Sequence, residues 1–292
     1  MSNLKRALDL IRSQGQELSD SGIDNPLREA ELLLCGAGSL DRNIIFRDNP
    51  FIPQEIENRF LSFVQRRING EPIQYILGNV NFCDLTIHVG PGVLIPRPET
   101  EFLVLKAIEI IKNCFNNTKT VHILEIGTGS GCIAVAVARQ CSQAKIYGVD
   151  SSLSALHYAQ KNALFNQTDN ASFISGSLFE PFCGIKFHMV LSNPPYIKSS
   201  EINTLQREIR DWEPREALDG GDDGLMFYRQ ILSQAPQYIF PDGYILLEVG
   251  LGQSQPVCHI AETHGFISEG VIADYGGIER VVLFRYKNEY RL

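Results

Sequence analysis

Leu124-Glu125-Ile126-Gly127-Thr128-Gly129-Ser130-Gly131 is the stretch on which the fold turns. A short apolar run, Val121–Ile126, enters a glycine turn, and a helical stretch, Ile133–Arg139, leaves it. Open α/β sheets bind ligands at the carboxyl ends of their strands, and glycines at such a turn let the backbone approach a ligand with no Cβ in the way. The spacing is GxGxG. The dinucleotide fingerprint GxGxxG would need a glycine where Cys132 stands. Asp150 follows the next strand, Lys145–Val149, at roughly the 20-residue separation of a ribose-binding acid. Gly127, Thr128, Gly129, Ser130, Gly131 and Asp150 are therefore candidate cofactor-binding residues. A nicotinamide dinucleotide and S-adenosylmethionine both fit at this point.

Downstream, the strand-and-helix texture continues. Ser154–Leu164 reads as a helix, and Ala171–Ile174, Met189–Ser192, Tyr244–Val249 and Val281–Arg285 read as strands. Alternation of this kind predicts an α/β domain with a mostly parallel, doubly wound sheet. Upstream, about 70 residues look helical. Leu4, Leu8, Ile11 and Leu18 recur at helical spacing. Asn25-Pro26 reads as a cap and first turn, and Cys35-Gly36-Ala37-Gly38 as the stop of that helix. Pro53 opens another helix, Arg66 and Arg67 suit its C-terminal dipole, and Asn69-Gly70 ends it. Between Tyr75 and Val93 the period shortens towards two, as in a β-hairpin or extended linker. Pro96 and Pro98 then forbid a helix until Pro98 itself, after which Phe102, Leu105, Ile108 and Ile111 form an apolar stripe.

Composition narrows the function classes. The chain has 292 residues, 44% of them hydrophobic, and a net charge of −8. That is enough apolar material for a real core, and an acidic balance argues against a protein that grips nucleic-acid phosphates. Seven cysteines at wide spacing form no CxxC pair, so neither a disulfide framework nor a metal site is expected. No signal-peptide pattern and no membrane-length apolar run is visible, which suggests a soluble, cytoplasmic protein.

The chemistry points to Ser192-Asn193-Pro194-Pro195-Tyr196, at the end of the strand Met189–Ser192. An amide or exocyclic amine nitrogen is a weak nucleophile because its lone pair is delocalised. It must be held in line with the methyl group it attacks. The Asn193 side-chain oxygen and the Pro194 carbonyl can accept both N–H bonds of such an NH2 group and stabilise the charge that develops on it. Tyr196 can stack on the planar group, and the two prolines stiffen the loop. No histidine base is required, so His188 reads as structural. Glu125 reads either as a partner for a ligand ammonium or as a strand-end acid held by loop N–H groups.

Asn193-Pro194-Pro195-Tyr196 with the glycine turn resembles the class I methyltransferases that modify planar nitrogens. Almost the whole chain resembles the HemK/PrmC family of peptide-chain-release-factor glutamine methyltransferases. The likeness is carried by Glu71-Pro72-Ile73-Gln74-Tyr75-Ile76-Leu77-Gly78, by Ile95-Pro96-Arg97-Pro98-Glu99-Thr100-Glu101, and by the long segment from Glu213-Pro214-Arg215 to Asp223-Gly224-Leu225. The resemblance implies a helical substrate-docking domain at 1–74, a β-hairpin linker at 75–95 and a Rossmann-like catalytic domain at 96–292. It implies S-adenosylmethionine as cofactor and, as partner, a bacterial-type release factor methylated on the glutamine of its Gly-Gly-Gln loop. Gly127 to Gly131 would line the methionine end of the cofactor and Asp150 would hold its ribose. Asn193 would bind the substrate amide beside the methyl group, with Pro194, Pro195 and Tyr196 completing the pocket. A monomer is the family expectation. The chain departs from the family pattern near the adenine, where Ser177 and Leu178 replace an acid and an aromatic, leaving Leu178 as the candidate contact. It departs again at His188, where relatives place an acid. The alternatives are a ribosomal-protein glutamine methyltransferase and, with less support, an adenine-N6 methyltransferase of DNA or RNA, which would need a basic channel and base flipping.

Overall fold

The computed structural model describes residues 4–287. They divide into two compact units, one running up to Asn79 and including Gln206–Trp212, the other formed by the rest.

The first unit is helical: α1 (Ala7–Asp20), α2 (Pro26–Gly38), α3 (Arg42–Asp48), α4 (Gln54–Ile68) and α5 (Ile73–Leu77). Leu10, Leu18, Leu33, Leu34, Ile45, Phe60 and Val64 form its buried centre. One local expectation needs correction. Asn25 precedes α2 with a left-handed backbone (φ 51°), and its side chain makes no capping bond. Side-chain capping occurs instead at α3, where Asp41 accepts from the Asn43 N–H at 2.6 Å. Cys35-Gly36-Ala37-Gly38 ends α2 as expected, forming its last turn. A Cβ on Gly36 would stand 2.3 Å from Leu77 Cδ2, so this glycine serves close packing. Arg67 stands in the last turn of α4, as expected. It is buried, and its guanidinium binds Glu29 at 2.6 Å and Glu208 at 2.9 Å. Glu208 lies on the short helix α9 (Arg207–Arg210), which is why that later stretch belongs to the helical unit.

The second unit contains the hairpin of β1 (Asn79–Phe82, from Val80 onward) and β2 (Leu85–His88), then α6 (Glu101–Cys114). β3 (Val121–Ile126), α7 (Cys132–Gln140), β4 (Ala144–Asp150), α8 (Leu153–Phe165), β5 (Ala171–Ser175) and β6 (Phe187–Ser192) follow. After the helical excursion come α10 (Met226–Gln234), β7 (Ile239–Glu248), α11 (Ser254–Glu262), β8 (Phe266–Ala273) and β9 (Glu279–Tyr286). The seven-stranded sheet has the order β5-β4-β3-β6-β7-β9-β8. The first five are parallel, and β9 and β8 close the edge antiparallel. This is the expected mostly parallel α/β sheet. Leu124, Val190, Ile245, Leu247 and Val282 are fully buried, as strands covered on both faces must be.

α10, α11 and β8 went unread in the sequence, and the buried face of α6 was read only in part. β8 has a single buried residue, Phe266, and register shifts between Ser268 and Gly270 and between Ile272 and Ala273, so it carries no apolar alternation. α6 buries Leu103, Val104, Ala107, Ile108 and Ile111, whereas Leu105 is exposed and Phe102 half-buried. Of the expected stripe Ile108 and Ile111 are buried and Phe102 and Leu105 are not, because the helix has more apolar residues than one face can hold. The hairpin is fastened to α8 by Asn162, fully buried, which accepts from the His88 N–H at 2.7 Å and donates to the carbonyls of His88 and Ser130 at 2.9 Å. Among the described residues no helix is long and apolar enough to cross a membrane.

Candidate active site

The chain leaves β3 towards β4 and β5, then returns to β6 on the other side of β3. That reversal of strand order opens a crevice at the carboxyl ends of β3 and β6. The register brings three expected regions to one level. Ile126 pairs with Val149 of β4 and with Ser192 of β6, so the glycine turn, Asp150 and Asn193 all follow matched strand ends. The Ser192 hydroxyl donates to the Ile126 carbonyl at 2.8 Å and locks β6 to β3 there.

Gly127, Gly129 and Gly131 all have positive φ (68°, 54° and 76°), which L side chains rarely adopt. Their surroundings differ. A Cβ on Gly131 would meet Ala159 at 2.9 Å, a packing demand, whereas one on Gly127 would meet nothing within 4 Å. The space beside Gly127 is open. Thr128 and Ser130 are buried. The Thr128 hydroxyl donates to Glu125 Oε2 at 2.6 Å, and the Ala134 N–H donates to the same oxygen at 3.1 Å. Glu125 Oε1 is buried with no hydrogen-bond partner. Burial pushes this carboxyl up to about 8, against the lowering pull of those two bonds. A ligand ammonium would satisfy the orphaned oxygen, so both readings of Glu125 meet in one side chain. Asp150 accepts from the Gly129 N–H at 2.8 Å and the Ser152 N–H at 2.9 Å, which fixes its carboxylate at the crevice with lone pairs to spare. Leu178, after β5, has a positive φ of 51° and is half-buried against the core. It offers an apolar edge, and Ser177 beside it is exposed. The open space at Gly127, the orphaned oxygen of Glu125 and the anchored carboxylate of Asp150 fit S-adenosylmethionine.

Asn193 donates from Nδ2 to Thr100 Oγ1 at 3.2 Å, and the Thr100 hydroxyl donates to Glu248 Oε2 at 2.6 Å. Neither Asn193 Oδ1 nor the Pro194 carbonyl receives a hydrogen bond among the described residues. Two adjacent acceptors are thus left open. Tyr196 is half-buried, and burial raises its hydroxyl to about 12, so it stays protonated. Its backbone is clamped. The Gln253 side chain donates to the Tyr196 carbonyl at 2.9 Å, and the Ile197 N–H and carbonyl bond to Leu218 and Gly220. A Cβ on Gly220 would lie 2.8 Å from Tyr196 Cα, and one on Gly224 2.4 Å from the Tyr196 carbonyl.

The long segment after the Asn-Pro-Pro-Tyr loop therefore braces that loop. Glu213 at its start accepts from Arg97 at 2.6 Å and from the Ile95 N–H at 3.4 Å, tying it to the proline-rich segment before α6. Thr100, Glu248 and Gln253 were missed by sequence reasoning. Only the residue-by-residue likeness around Thr100 hinted at any of them. His188 sits at the opposite, amino end of β6, where Nδ1 accepts from the His122 N–H at 3.0 Å. Burial lowers its basicity. It stacks on His122 and touches Phe115 and Phe240, a structural placement.

Comparison with known proteins gives the family. The family model of the PrmC N-terminal domain matches residues 9–78, and that of the methyltransferase small domain matches residues 104–222. The release factor glutamine methyltransferase of Thermodesulfovibrio yellowstonii is 41% identical over 96% of this chain and 98% of its own length. That of Geobacter sulfurreducens is 41% identical over 96% and 95%. Among solved structures, a 16S rRNA methyltransferase of T. thermophilus in complex with AdoMet and guanosine superposes with a TM-score of 0.50. It is 18% identical and covers 72% of this chain and 50% of the other, which is a likeness of fold.

Proposed function

Because the chain belongs to the release factor glutamine methyltransferase family, we propose that Asn193 Oδ1 and the Pro194 carbonyl receive the two N–H bonds of the substrate glutamine amide. The enzyme transfers a methyl group from S-adenosylmethionine to that side-chain nitrogen of a release factor. When bound, the cofactor supplies an electrophilic methyl carbon on a sulfonium. The residues of this chain do the rest. The glycine turn, Glu125 and Asp150 hold the methionine and ribose ends, and Leu178 borders the adenine. The acceptor pair turns the amide nitrogen towards the methyl group and draws positive charge off it as the N–C bond forms. Tyr196 stacks on the amide plane. The nitrogen then releases a proton, made acidic by the new bond, and no buried base is needed.

The observation that carries this reading is the pair of open acceptors at the end of β6, level with the glycine turn. The test is mass spectrometry of release factor incubated with cofactor and enzyme. One methyl group is expected on the glutamine of the Gly-Gly-Gln loop. Asn193→Ala should lower turnover by about 100-fold or more, as loss of an oriented transition-state contact does, while cofactor binding survives. Near wild-type transfer by that variant would remove Asn193 from the role. Duplex DNA and RNA in parallel reactions should stay unmethylated, in keeping with the net charge of −8. We further read the enzyme as a cytoplasmic monomer with a helical substrate-docking unit. Light scattering checks the first property. Binding of release factor to variants on the surface of α1 to α4 checks the second.

A further inference from the structure

We propose that Glu248, acting through Thr100, sets which end of the Asn193 amide faces the substrate. The inference rests on the role given to Asn193 above and adds two positioning residues to it. The three groups come from distant parts of the sequence. Thr100 stands in the turn before α6, Asn193 after β6, and Glu248 at the end of β7. Thr100 and Glu248 are each 2% exposed, so water does not compete for their bonds.

The logic is one of proton counting. An amide looks nearly the same from either end, and nothing in the shape of Asn193 decides whether oxygen or NH2 points outward. A threonine hydroxyl has one proton, and an ionised carboxylate can only accept. The Thr100 proton is committed to Glu248 Oε2 at 2.6 Å. Thr100 Oγ1 can then only accept, and the only donor end of Asn193 is Nδ2, found 3.2 Å away. Oδ1 is left for the substrate. If Glu248 is protonated, it can donate to Thr100, whose own proton is then free for Asn193 Oδ1. The amide turns over and presents NH2 to the substrate's NH2, a contact between donors that cannot bond.

The groups facing Glu248 are Arg97 and Glu99 before α6, Arg280 on β9, Tyr196 after β6 and Cys132 on α7. Tyr228 on α10 also faces it, with its hydroxyl on the Glu248 carbonyl at 2.8 Å. Burial among them pushes the Glu248 carboxyl up to about 7, opposed by the Thr100 bond and by both arginines. The chain of bonds can therefore reverse within a working pH range.

The test is kcat/KM for release-factor methylation at saturating cofactor, from about pH 5.5 to 9, for wild type, Thr100→Val and Thr100→Ser. Wild type should lose activity on the acid side. Thr100→Val keeps the shape but not the bonds. It should be roughly 10-fold or more slower at pH 8, as expected for one lost orienting hydrogen bond, and its acid limb should flatten. Thr100→Ser should restore both rate and limb. Cofactor affinity by calorimetry should match wild type throughout, and any contribution of Glu125 is common to all three proteins. A Thr100→Val enzyme with wild-type rate and an unchanged acid limb would overturn the proposal. So would a Thr100→Ser enzyme as damaged as Thr100→Val. Absence of methylation by the wild type would overturn the reading of the enzyme itself, a separate result.

Discussion

Asp150 accepts hydrogen bonds from the N–H groups of Gly129 and Ser152. Asp150→Ala should therefore do two things. It should weaken cofactor affinity in calorimetry, and it should cost about 1–3 kcal/mol in denaturant unfolding, because two backbone donors lose a charged acceptor. Unchanged affinity would take Asp150 out of the site. Glu125 gives a prediction of opposite character. Burial raises its carboxyl from 4.5 to about 8, so the folded chain binds this proton more tightly than the unfolded chain does. Stability from this group is present below pH 4.5 and is lost as pH rises towards about 8. Glu248, raised to about 7, acts with the same sign. Glu125→Gln should flatten the fall of melting temperature across that window in scanning fluorimetry, and it should weaken cofactor binding at high pH. A melting profile identical to wild type would show that Glu125 ionises freely.

At the scale of elements, the segment Leu218–Gly224 works as a brace for the Asn-Pro-Pro-Tyr loop. Gly220 has no room for a Cβ against Tyr196 Cα and the Pro195 carbonyl. Gly220→Ala should shift that loop, reducing turnover while leaving cofactor affinity intact, with about 1–3 kcal/mol of overpacking cost. Equal losses of turnover and cofactor affinity would mean a general collapse instead. The same comparison shows what a sequence can disclose. The glycine turn, Asp150 and the tetrapeptide were legible because each couples a residue type to a strand end, and strand ends are set by local apolar runs. β3 through β6 were legible for the same reason. Thr100 and Glu248 were not, because their meaning is a hydrogen bond between positions 100 and 248 that no local pattern encodes. β8 was hidden by its edge position, and the buried face of α6 by a surplus of apolar residues rather than a lack of them.

At the scale of the whole molecule, the helical unit depends on a buried cation. Arg67 answers Glu29 and Glu208, and the side chains of Arg67 and Glu29 are little exposed. Arg67→Ala leaves Glu29 without its counter-charge and should destabilise this unit by about 3–5 kcal/mol, read as an earlier unfolding step in calorimetry. A single unchanged transition would contradict this.

One end of that ion cluster sits on Gln206–Trp212, a stretch encoded between the Asn-Pro-Pro-Tyr loop and the brace, yet housed with helices encoded far earlier. The helical unit is consequently not a removable prefix. A chimera that imports the amino-terminal helices of a relative must import that short excursion as well, or it will join an arginine from one lineage to a glutamate from another.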